Sequence, residues 1–348
     1  MTSAPSHLTV YLSGICNFRC GYCRSRFPGP PIARPRLLAG LDSFLALPGA
    51  GKKVSFLGGE PLLHPALLRA AVERLRSKGG PALPLQLFTN GALLTRSMAA
   101  FLARNGVRVV VSVDGAPDLN DAARRPASGA ASAFRSALRA ARLCGGAAAS
   151  MVVTPAGARR LASSLAALRA AGFKSLAWAP DVSALWDRGG LRALRAGAAE
   201  AAALYLGELA AGEAWEVANI YELLALRRGQ GLPACSNITL APDGCFYPCD
   251  KLLSGGLKAA APFRCGPDGA GKRKFFGLAA AAGARSSQVL CPVAPWALGR
   301  FSAGGGPGYL AGQAAARRIA GAWLSKIAAA GRRHRAFRAA HGLEESAA

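Results

Sequence analysis

The stretch "YLSGICNFRCGYCRSRF", residues 11–27, places three cysteines in a C-x3-C-x2-C array directly behind a short apolar run. Thiolates at Cys16, Cys20 and Cys23 can hold three irons of a four-iron four-sulfur cube, because a loop of this length wraps round one face of the cluster. The fourth iron is then open to a ligand. A structural zinc site normally has a fourth protein ligand within a compact motif, and none follows Cys23 at short range. The array therefore predicts an iron–sulfur site with one open iron.

The sequence around this array alternates between strand-like and helix-like segments. Strand-like runs are predicted at residues 8–14, 52–59, 83–91, 107–115, 147–155 and 173–180. Ala-, Leu- and Arg-rich helical stretches lie between them, which is typical of a parallel sheet with covering helices. We therefore predict an α/β fold with a partial (β/α)6 TIM-like barrel. The cysteine array closes the first strand, at the carboxyl end where such barrels place their chemistry.

The pattern changes near residue 232. The stretch "CSNITLAPDGCFYPCD", residues 235–250, is typical of a hairpin with a Pro-Asp-Gly turn between two short β-prone runs. We predict a barrel over residues 1–231 and a small C-terminal cysteine-rich β-hairpin extension over residues 232–300. A basic helical tail is predicted over residues 301–348.

Composition limits the partners that are expected. The net charge is +25, from 43 Lys and Arg against 18 Asp and Glu, which raises nucleic acid as a partner. The arginines are scattered singly among Ala, Gly and Leu and are not interleaved with aromatic residues as in a single-strand groove. No nucleic-acid partner is therefore expected.

The location of the protein is predicted from what its sequence lacks. No apolar run has the length of a membrane span, and the N-terminus does not resemble a signal peptide. We expect a cytoplasmic protein with no membrane partner, and no leader-binding domain before the first strand. In a reducing compartment the nine cysteines are better interpreted as metal ligands than as disulfides.

The second, third and fourth strands end in turns that carry candidate ligand-binding groups. The second ends in Gly-Gly-Glu, whose glycines let a backbone approach a ligand and whose carboxylate stands beside it. The third ends in an asparagine, which can hydrogen-bond a ligand or cap a turn. Two polar side chains project from one face of the fourth, because side chains alternate along a strand. These candidates are Gly58, Gly59, Glu60, Asn90, Ser112 and Asp114.

The cysteine array, the aromatic Tyr22 before its last cysteine and these turns together resemble the radical S-adenosylmethionine (radical SAM) superfamily. The resemblance implies a 4Fe-4S cluster on the three cysteines, with S-adenosylmethionine chelated at the open iron. One electron from a low-potential donor such as flavodoxin or ferredoxin then cleaves the sulfonium. The resulting 5′-deoxyadenosyl radical abstracts hydrogen from a substrate.

The resemblance also implies roles for single residues. The Gly-Gly-Glu turn matches the family motif that binds the methionine amino group, and Arg124 matches the arginine that pairs with the cofactor carboxylate. Arg125 is adjacent and is the alternative. Tyr22, Asn90, Ser112 and Asp114 complete the expected cofactor site.

The C-terminal cysteines resemble the SPASM or shorter twitch extension that holds auxiliary iron–sulfur clusters. One auxiliary 4Fe-4S cluster is implied. Cys245 is either a ligand in place of Cys235 or a spare thiol. Asp250 directly follows Cys249, as in anaerobic sulfatase-maturing enzymes, where the matching aspartate is proposed as a base. The alternative is that Asp250 is a solvated hairpin residue. The expected cluster ligands are Cys235, Cys249, Cys265 and Cys291.

By analogy of domains, the expected substrate is a ribosomally made peptide, joined through a thioether or carbon–carbon crosslink, or a protein side chain. Action on a small molecule is the alternative within the same chemistry. A zinc-stabilised nucleic-acid-binding protein, with the cysteine pairs of the two motifs as ligands and the positive charge on phosphates, is the alternative of another class. It leaves Cys16 and the Gly-Gly-Glu turn unexplained.

Overall fold

The computed structural model of the chain describes residues 5–129, 132–219, 236–281, 291, 293–301, 308–341 and 343. Within these ranges the strands are β1 (His7–Tyr11), β2 (Lys53–Leu57), β3 (Leu85–Thr89), β4 (Val107–Ser112), β5 (Ala148–Val153), β6 (Ser175–Pro180), β7 (Glu216–Val217), β8 (Asn237–Leu240) and β9 (Phe246–Tyr247). They form one sheet with the order β7-β6-β5-β4-β3-β2-β1-β8-β9.

Helices connect and cover these strands. They are α1 (Arg34–Leu45), α2 (Pro65–Gly79), α3 (Arg96–Arg104), α4 (Pro117–Ala123), α5 (Ala133–Cys144), α6 (Leu161–Ala170), α7 (Arg188–Ala210), α8 (Gly256–Ala260), α9 (Lys272–Ala281), α10 (Val293–Phe301), α11 (Tyr309–Gly331) and α12 (Arg335–Ala340). Short 3-10 turns lie at Pro61–Leu63, Ala158–Arg160, Asp250–Gly255 and Ala261–Phe263. Local sequence sets several of the ends: for α5, Ser132 caps the first turn and Gly145, in the left-handed region at φ +61°, ends the helix.

Adjacent strands from β7 to β8 run parallel, and only the β8–β9 pair of the described sheet is antiparallel. The predicted α/β architecture with a parallel sheet is confirmed. All six predicted strands are present, although β4 ends at Ser112 rather than at residue 115. The first five strands end before the carboxyl ends of the predicted runs because the last residues of these runs turn away as loops, and loops at this edge carry the candidate site.

The hairpin extension continues the sheet of the barrel. Strand β8 pairs with β1, and His7 lies beside Lys53 on one side and Asn237 on the other. A small second core joins the extension to the cysteine-bearing loop. It contains Tyr11, Phe27, Tyr247, Phe275 and Trp296. The predicted boundary between residues 231 and 232 lies outside the described residues, so the division into three parts stays a prediction.

The C-terminal helices pack on the opposite edge of the sheet. Trp323 of α11 meets Trp178 of β6 edge to face, with ring centroids 5.3 Å apart. The Nε2 atom of His341, which follows α12, accepts a hydrogen bond from the Val217 N–H at 3.0 Å. Strand β7 is thereby covered at its open edge, which limits pairing with another chain. No helix among the described residues combines the length and the apolar character of a membrane span.

Candidate active site

The loop that follows β1 holds the three clustered cysteines. Cys16, Cys20 and Cys23 are half-buried, and burial raises the pKa of the Cys16 thiol to about 12 and that of the Cys20 thiol to about 11. The Phe18 N–H donates to Cys16 Sγ at 3.3 Å. Three thiols on one short loop are a donor set that a multivalent cation would stabilise as thiolates. The residues therefore fit an iron–sulfur cluster.

A segment after α4 holds this loop in place. The Arg19 N–H donates to the Arg125 carbonyl at 2.6 Å, and the Gly21 N–H donates to the Ala123 carbonyl at 2.9 Å. Phe18 and Pro126 form an antiparallel bridge. We call residues 123–127 the clasp, since they pair with the loop much as a neighbouring strand would. Sequence reasoning did not predict this pairing, because no local signal joins segments about a hundred residues apart.

The Gly-Gly-Glu turn packs against the entry of the same loop. The Gly59 N–H donates to the Ser13 carbonyl at 3.0 Å and the Glu60 N–H donates to the Ile15 carbonyl at 2.9 Å. A Cβ on Gly59 would lie 1.8 Å from the Ile15 oxygen, and Gly58 has φ +123°. The two glycines are thus required by the close approach of two backbone segments, a different reason from the ligand contact that the sequence suggested.

The Glu60 carboxylate is buried and accepts three hydrogen bonds from the protein. One oxygen accepts from the Leu62 N–H at 3.0 Å and from the Thr89 hydroxyl at 2.8 Å, and the other accepts from the Asn90 N–H at 2.9 Å. Burial raises the pKa of Glu60, and these hydrogen bonds offset part of that rise. The carboxylate joins the ends of β2 and β3; its contact with a cofactor stays a prediction.

Asn90 combines the two roles that the sequence left open. Its Oδ1 accepts from the Ala92 N–H at 3.0 Å, which shapes the turn after β3. Its Nδ2 donates to Asn17 Oδ1 at 2.8 Å and lies 3.9 Å from Cys16 Sγ. The side chain therefore shapes the turn and also faces the cysteine loop.

Asp114, Arg124 and Tyr22 form a buried network beside the loop. The guanidinium donates through Nε to Asp114 Oδ2 at 2.8 Å and through Nη2 to Oδ1 at 2.9 Å. The Tyr22 hydroxyl donates to Asp114 Oδ2 at 2.6 Å, and the Arg124 Cζ lies 5.3 Å from the centre of the Tyr22 ring. Burial lowers the pKa of Arg124, but the charge of Asp114, its hydrogen bonds and the nearby Tyr22 and Cys20 together outweigh this effect, so the net pKa is raised.

The remaining barrel candidates lie close to this network. Ser112 is half-buried at the carboxyl end of β4, beside Ser150. Arg125 is exposed and donates to the Ala122 carbonyl at 3.2 Å. Of the two adjacent arginines, only Arg124 belongs to the buried network.

The C-terminal cysteines are divided between two faces. Cys245 and the buried Cys249 pack with the small second core. Cys265 pairs with Phe246 across an antiparallel bridge and packs against the main core. Bridged residues share a face and their chain neighbours point the other way, so Cys265 lies on the face opposite Cys245.

The described residues hold no preformed group of three metal-ligating side chains, at this extension or at the cysteine loop. Cys235 lies outside the described residues, and Cys291 is exposed. The structure therefore does not bring Cys249, Cys265 and Cys291 together as a ligand set. The auxiliary cluster stays a prediction.

Asp250 is buried in an ion pair that the sequence did not suggest. Its Oδ2 accepts from Lys251 Nζ at 2.6 Å and from the Tyr11 hydroxyl at 3.4 Å. Burial raises the pKa of Asp250, but the charge of Lys251 and the hydrogen bonds from Lys251 and Tyr11 together lower it by more, so the net pKa is lowered. The aspartate is not a solvated hairpin residue. Its role as a base is an untested prediction.

The site consists of a parallel α/β sheet whose first strand ends in a loop of three thiols, beside a buried arginine network. Residues 10–155 match the family model described as "Radical SAM superfamily". Over this range the chain resembles the radical SAM superfamily, as the sequence motifs indicated.

Curated relatives match a limited part of the chain. A GTP 3',8-cyclase of Mycobacterium ulcerans is 38% identical over 118 residues, 32% of each chain. An AdoMet-dependent heme synthase of Methanosarcina barkeri is 34% identical over 122 residues, 33% of each chain. The alignments span about a third of the length of these relatives.

Solved structures match over a longer range. The structure of anSMEcpe with bound AdoMet has a TM-score of 0.64 at 22% identity and covers 75% of this chain and 77% of its own. Streptococcus suis SuiB has a TM-score of 0.53 at 17% identity, over 73% of this chain and 62% of its own. At such identities the likeness shows the fold, and it confirms the predicted partial barrel.

Proposed function

We propose that this protein cleaves S-adenosylmethionine reductively and uses the radical to abstract hydrogen from an organic substrate. The observation that carries the proposal is the set of three half-buried thiols on one loop at the carboxyl end of β1. When bound there, a 4Fe-4S cluster and S-adenosylmethionine supply a 5′-deoxyadenosyl radical. A low-potential donor such as flavodoxin or ferredoxin is the proposed source of the electron.

The chain's own residues have positioning and binding roles in this proposal. Cys16, Cys20 and Cys23 hold the cluster. The side-chain amide of Asn90 faces the loop. The guanidinium nitrogen of Arg124 that does not bind Asp114 donates a charge-assisted hydrogen bond to the carboxylate of the cofactor. Burial of these groups excludes water, which strengthens each of these interactions.

A small molecule is the substrate class with the better support. The curated relatives above 30% identity include several named GTP 3',8-cyclase, whose name states a nucleotide substrate. Their alignments cover about a third of each protein, so a nucleotide or similarly anionic small molecule is a proposal for this chain.

A peptide is the second candidate, and a different observation supports it. Structures that resemble this chain in fold include anSMEcpe with a bound Cp18Cys peptide, at a TM-score of 0.62 over 70% of this chain. This likeness extends well beyond the matched family domain. It shows the fold alone, so the peptide maturation expected from the sequence is unconfirmed.

The auxiliary cluster belongs to the same proposal. Cys245 and Cys249 share one core and are the described thiols best placed to act together. Cys235 and Cys291 would complete a set of four. An iron count near eight per chain, the sum of two four-iron cubes, would support it.

The direct test is anaerobic purification followed by an assay with dithionite and S-adenosylmethionine. We expect a brown protein that absorbs near 400 nm and forms 5′-deoxyadenosine. A colourless, zinc-loaded protein would instead support the nucleic-acid-binding alternative. Mass spectrometry after incubation with GTP and, separately, with Cys-containing peptides distinguishes the two substrate classes, because only the true class gains a modified product.

A further inference from the structure

We propose that Asp114 is a positioning residue that orients Arg124 and Tyr22 and contacts no cofactor itself. The proposal rests on the proposed function, because the residues that it orients are those that would meet S-adenosylmethionine. It reverses the role suggested by the sequence, in which Asp114 hydrogen-bonds a ribose or carboxylate directly.

The first argument is the saturation of the Asp114 carboxylate. A carboxylate has two oxygens with about four acceptor sites. Oδ1 accepts from Arg124 Nη2 at 2.9 Å and from the Val152 N–H at 2.9 Å, and Oδ2 accepts from the Tyr22 hydroxyl at 2.6 Å and from Arg124 Nε at 2.8 Å. Four donors from the protein fill these sites, so no acceptor site remains for a bound ligand.

The second argument concerns the hydrogen-bond donors of Arg124 that Asp114 does not use. Its Nε and Nη2 are committed to Asp114, and among the described residues Nη1 makes no hydrogen bond to the protein. A guanidinium is planar, so fixing two nitrogens also fixes the direction of the third. Asp114 therefore aims the Arg124 Nη1 without occupying it.

The third argument is the reach of the network. The Asp114 N–H donates to Asn120 Oδ1 at 2.9 Å, which ties the residue to α4, and the Val152 contact ties it to β5. Tyr22 lies immediately before Cys23, and Arg124 belongs to the clasp that pairs with the loop. The carboxylate thus fixes the last part of the cysteine loop to the frame of the barrel.

The test is the affinity of the iron-loaded protein for S-adenosylmethionine, measured at equilibrium for Asp114→Asn, Arg124→Lys and the double variant. Asparagine has the same shape as aspartate, but its side-chain NH2 is a donor and would face the donors of Arg124. We expect each single variant to raise the Kd about tenfold or more, and the double variant to bind no more weakly than the weaker single variant, since both changes break one interaction. Additive losses, or an unchanged Kd for Asp114→Asn, would overturn the proposal.

A second readout separates positioning from general damage to the fold. The electron paramagnetic resonance spectrum of the reduced wild-type protein is expected to change when S-adenosylmethionine is added, and this change is expected to shrink in Asp114→Asn at unchanged iron content. If Asp114→Asn does not fold, Tyr22→Phe removes only the hydroxyl donor. A several-fold rise in its Kd is expected, and a wild-type Kd would count against the proposal.

The control is Arg108→Gln, which breaks the ion pair with Glu216 at the amino end of the same strand. We expect it to leave the Kd unchanged, whatever its effect on stability. A tenfold rise in the Kd of Arg108→Gln would show that any disruption of β4 weakens the binding of S-adenosylmethionine. If the wild-type protein contains iron but binds no S-adenosylmethionine, the proposed function is refuted. If the wild-type protein binds S-adenosylmethionine and Asp114→Asn has the same Kd, only the positioning role is refuted.

Discussion

The cysteine loop after β1 and the C-terminal extension both carry thiols, but the fold treats them differently. In the first region, one short loop carries all three, and the clasp, the Gly-Gly-Glu turn and Asn90 surround it with polar contacts. In the second, Cys265 packs in the main core, whereas Cys245 and Cys249 pack in the small second core. Short spacing keeps the thiols of one loop near one another along the chain, whereas distant thiols meet only if the tertiary structure brings them together.

The largest effect is expected from the first region. Replacing Cys16, Cys20 and Cys23 together by Ala should abolish 5′-deoxyadenosine formation, because no thiolates remain to hold the cluster. The measurement is product formation by liquid chromatography, beside an iron count. Formation of 5′-deoxyadenosine at the wild-type rate would mean that the loop is not the site.

The packing of the loop predicts the next effect. Gly59→Ala should lower the free energy of unfolding by about 2 to 4 kcal/mol, the scale of overpacking and backbone displacement, because the new Cβ meets the Ile15 oxygen. Urea denaturation of the purified protein measures it. Gly207→Ala in α7 is the matched control, since its Cβ would meet nothing within 4 Å, and it should be neutral or stabilising.

Cys265 tests the difference in thiol packing between the cysteine loop and the C-terminal extension. Cys265→Ala should cost about 1 kcal/mol of stability through lost packing and leave the iron content unchanged, because the side chain faces the main core. Cys249→Ala, on the other face, is the paired variant, and an iron loss there alone would support the proposed auxiliary site. Iron loss in Cys265→Ala would contradict the division between faces.

The smallest effect concerns β1, the strand that both regions share. His7 hydrogen-bonds Ser55 at 2.9 Å, and burial, followed by the charge of Lys53, lowers the pKa of His7 to about 3. The unfolded chain then binds a proton near pH 6.5 that the folded chain does not, so stability is complete above pH 6.5 and falls as the pH drops toward 3.

Between pH 6.5 and pH 5 the expected loss from this histidine is about 1.6 kcal/mol. Urea denaturation of the wild type and of His7→Gln at both pH values measures it, and the variant should show the weaker pH dependence. Equal slopes would show that His7 is not the group responsible. Because His7 lies at the amino end of β1, the affinity for S-adenosylmethionine should not follow this change.

Much of the site was accessible from sequence because its signals are local. The spacing of Cys16, Cys20 and Cys23 and the strand-like runs around them each depend on a few neighbouring residues. The Gly-Gly-Glu turn was found for the same reason, and its second glycine also allows a close backbone contact with Ile15 that no local signal indicates. The residue types were predictable, and their contacts were not.

The sequence by itself determined the parallel α/β sheet and the cysteine loop at the end of β1, because periodicity and short spacing are properties of the chain alone. Only the tertiary structure decided that Asp114 holds Arg124 and Tyr22, that Cys265 and Cys245 face opposite ways, and that His341 covers the edge of β7. Each of these depends on segments far apart in sequence meeting in space. A side chain's partners follow from that packing, which a local pattern does not encode.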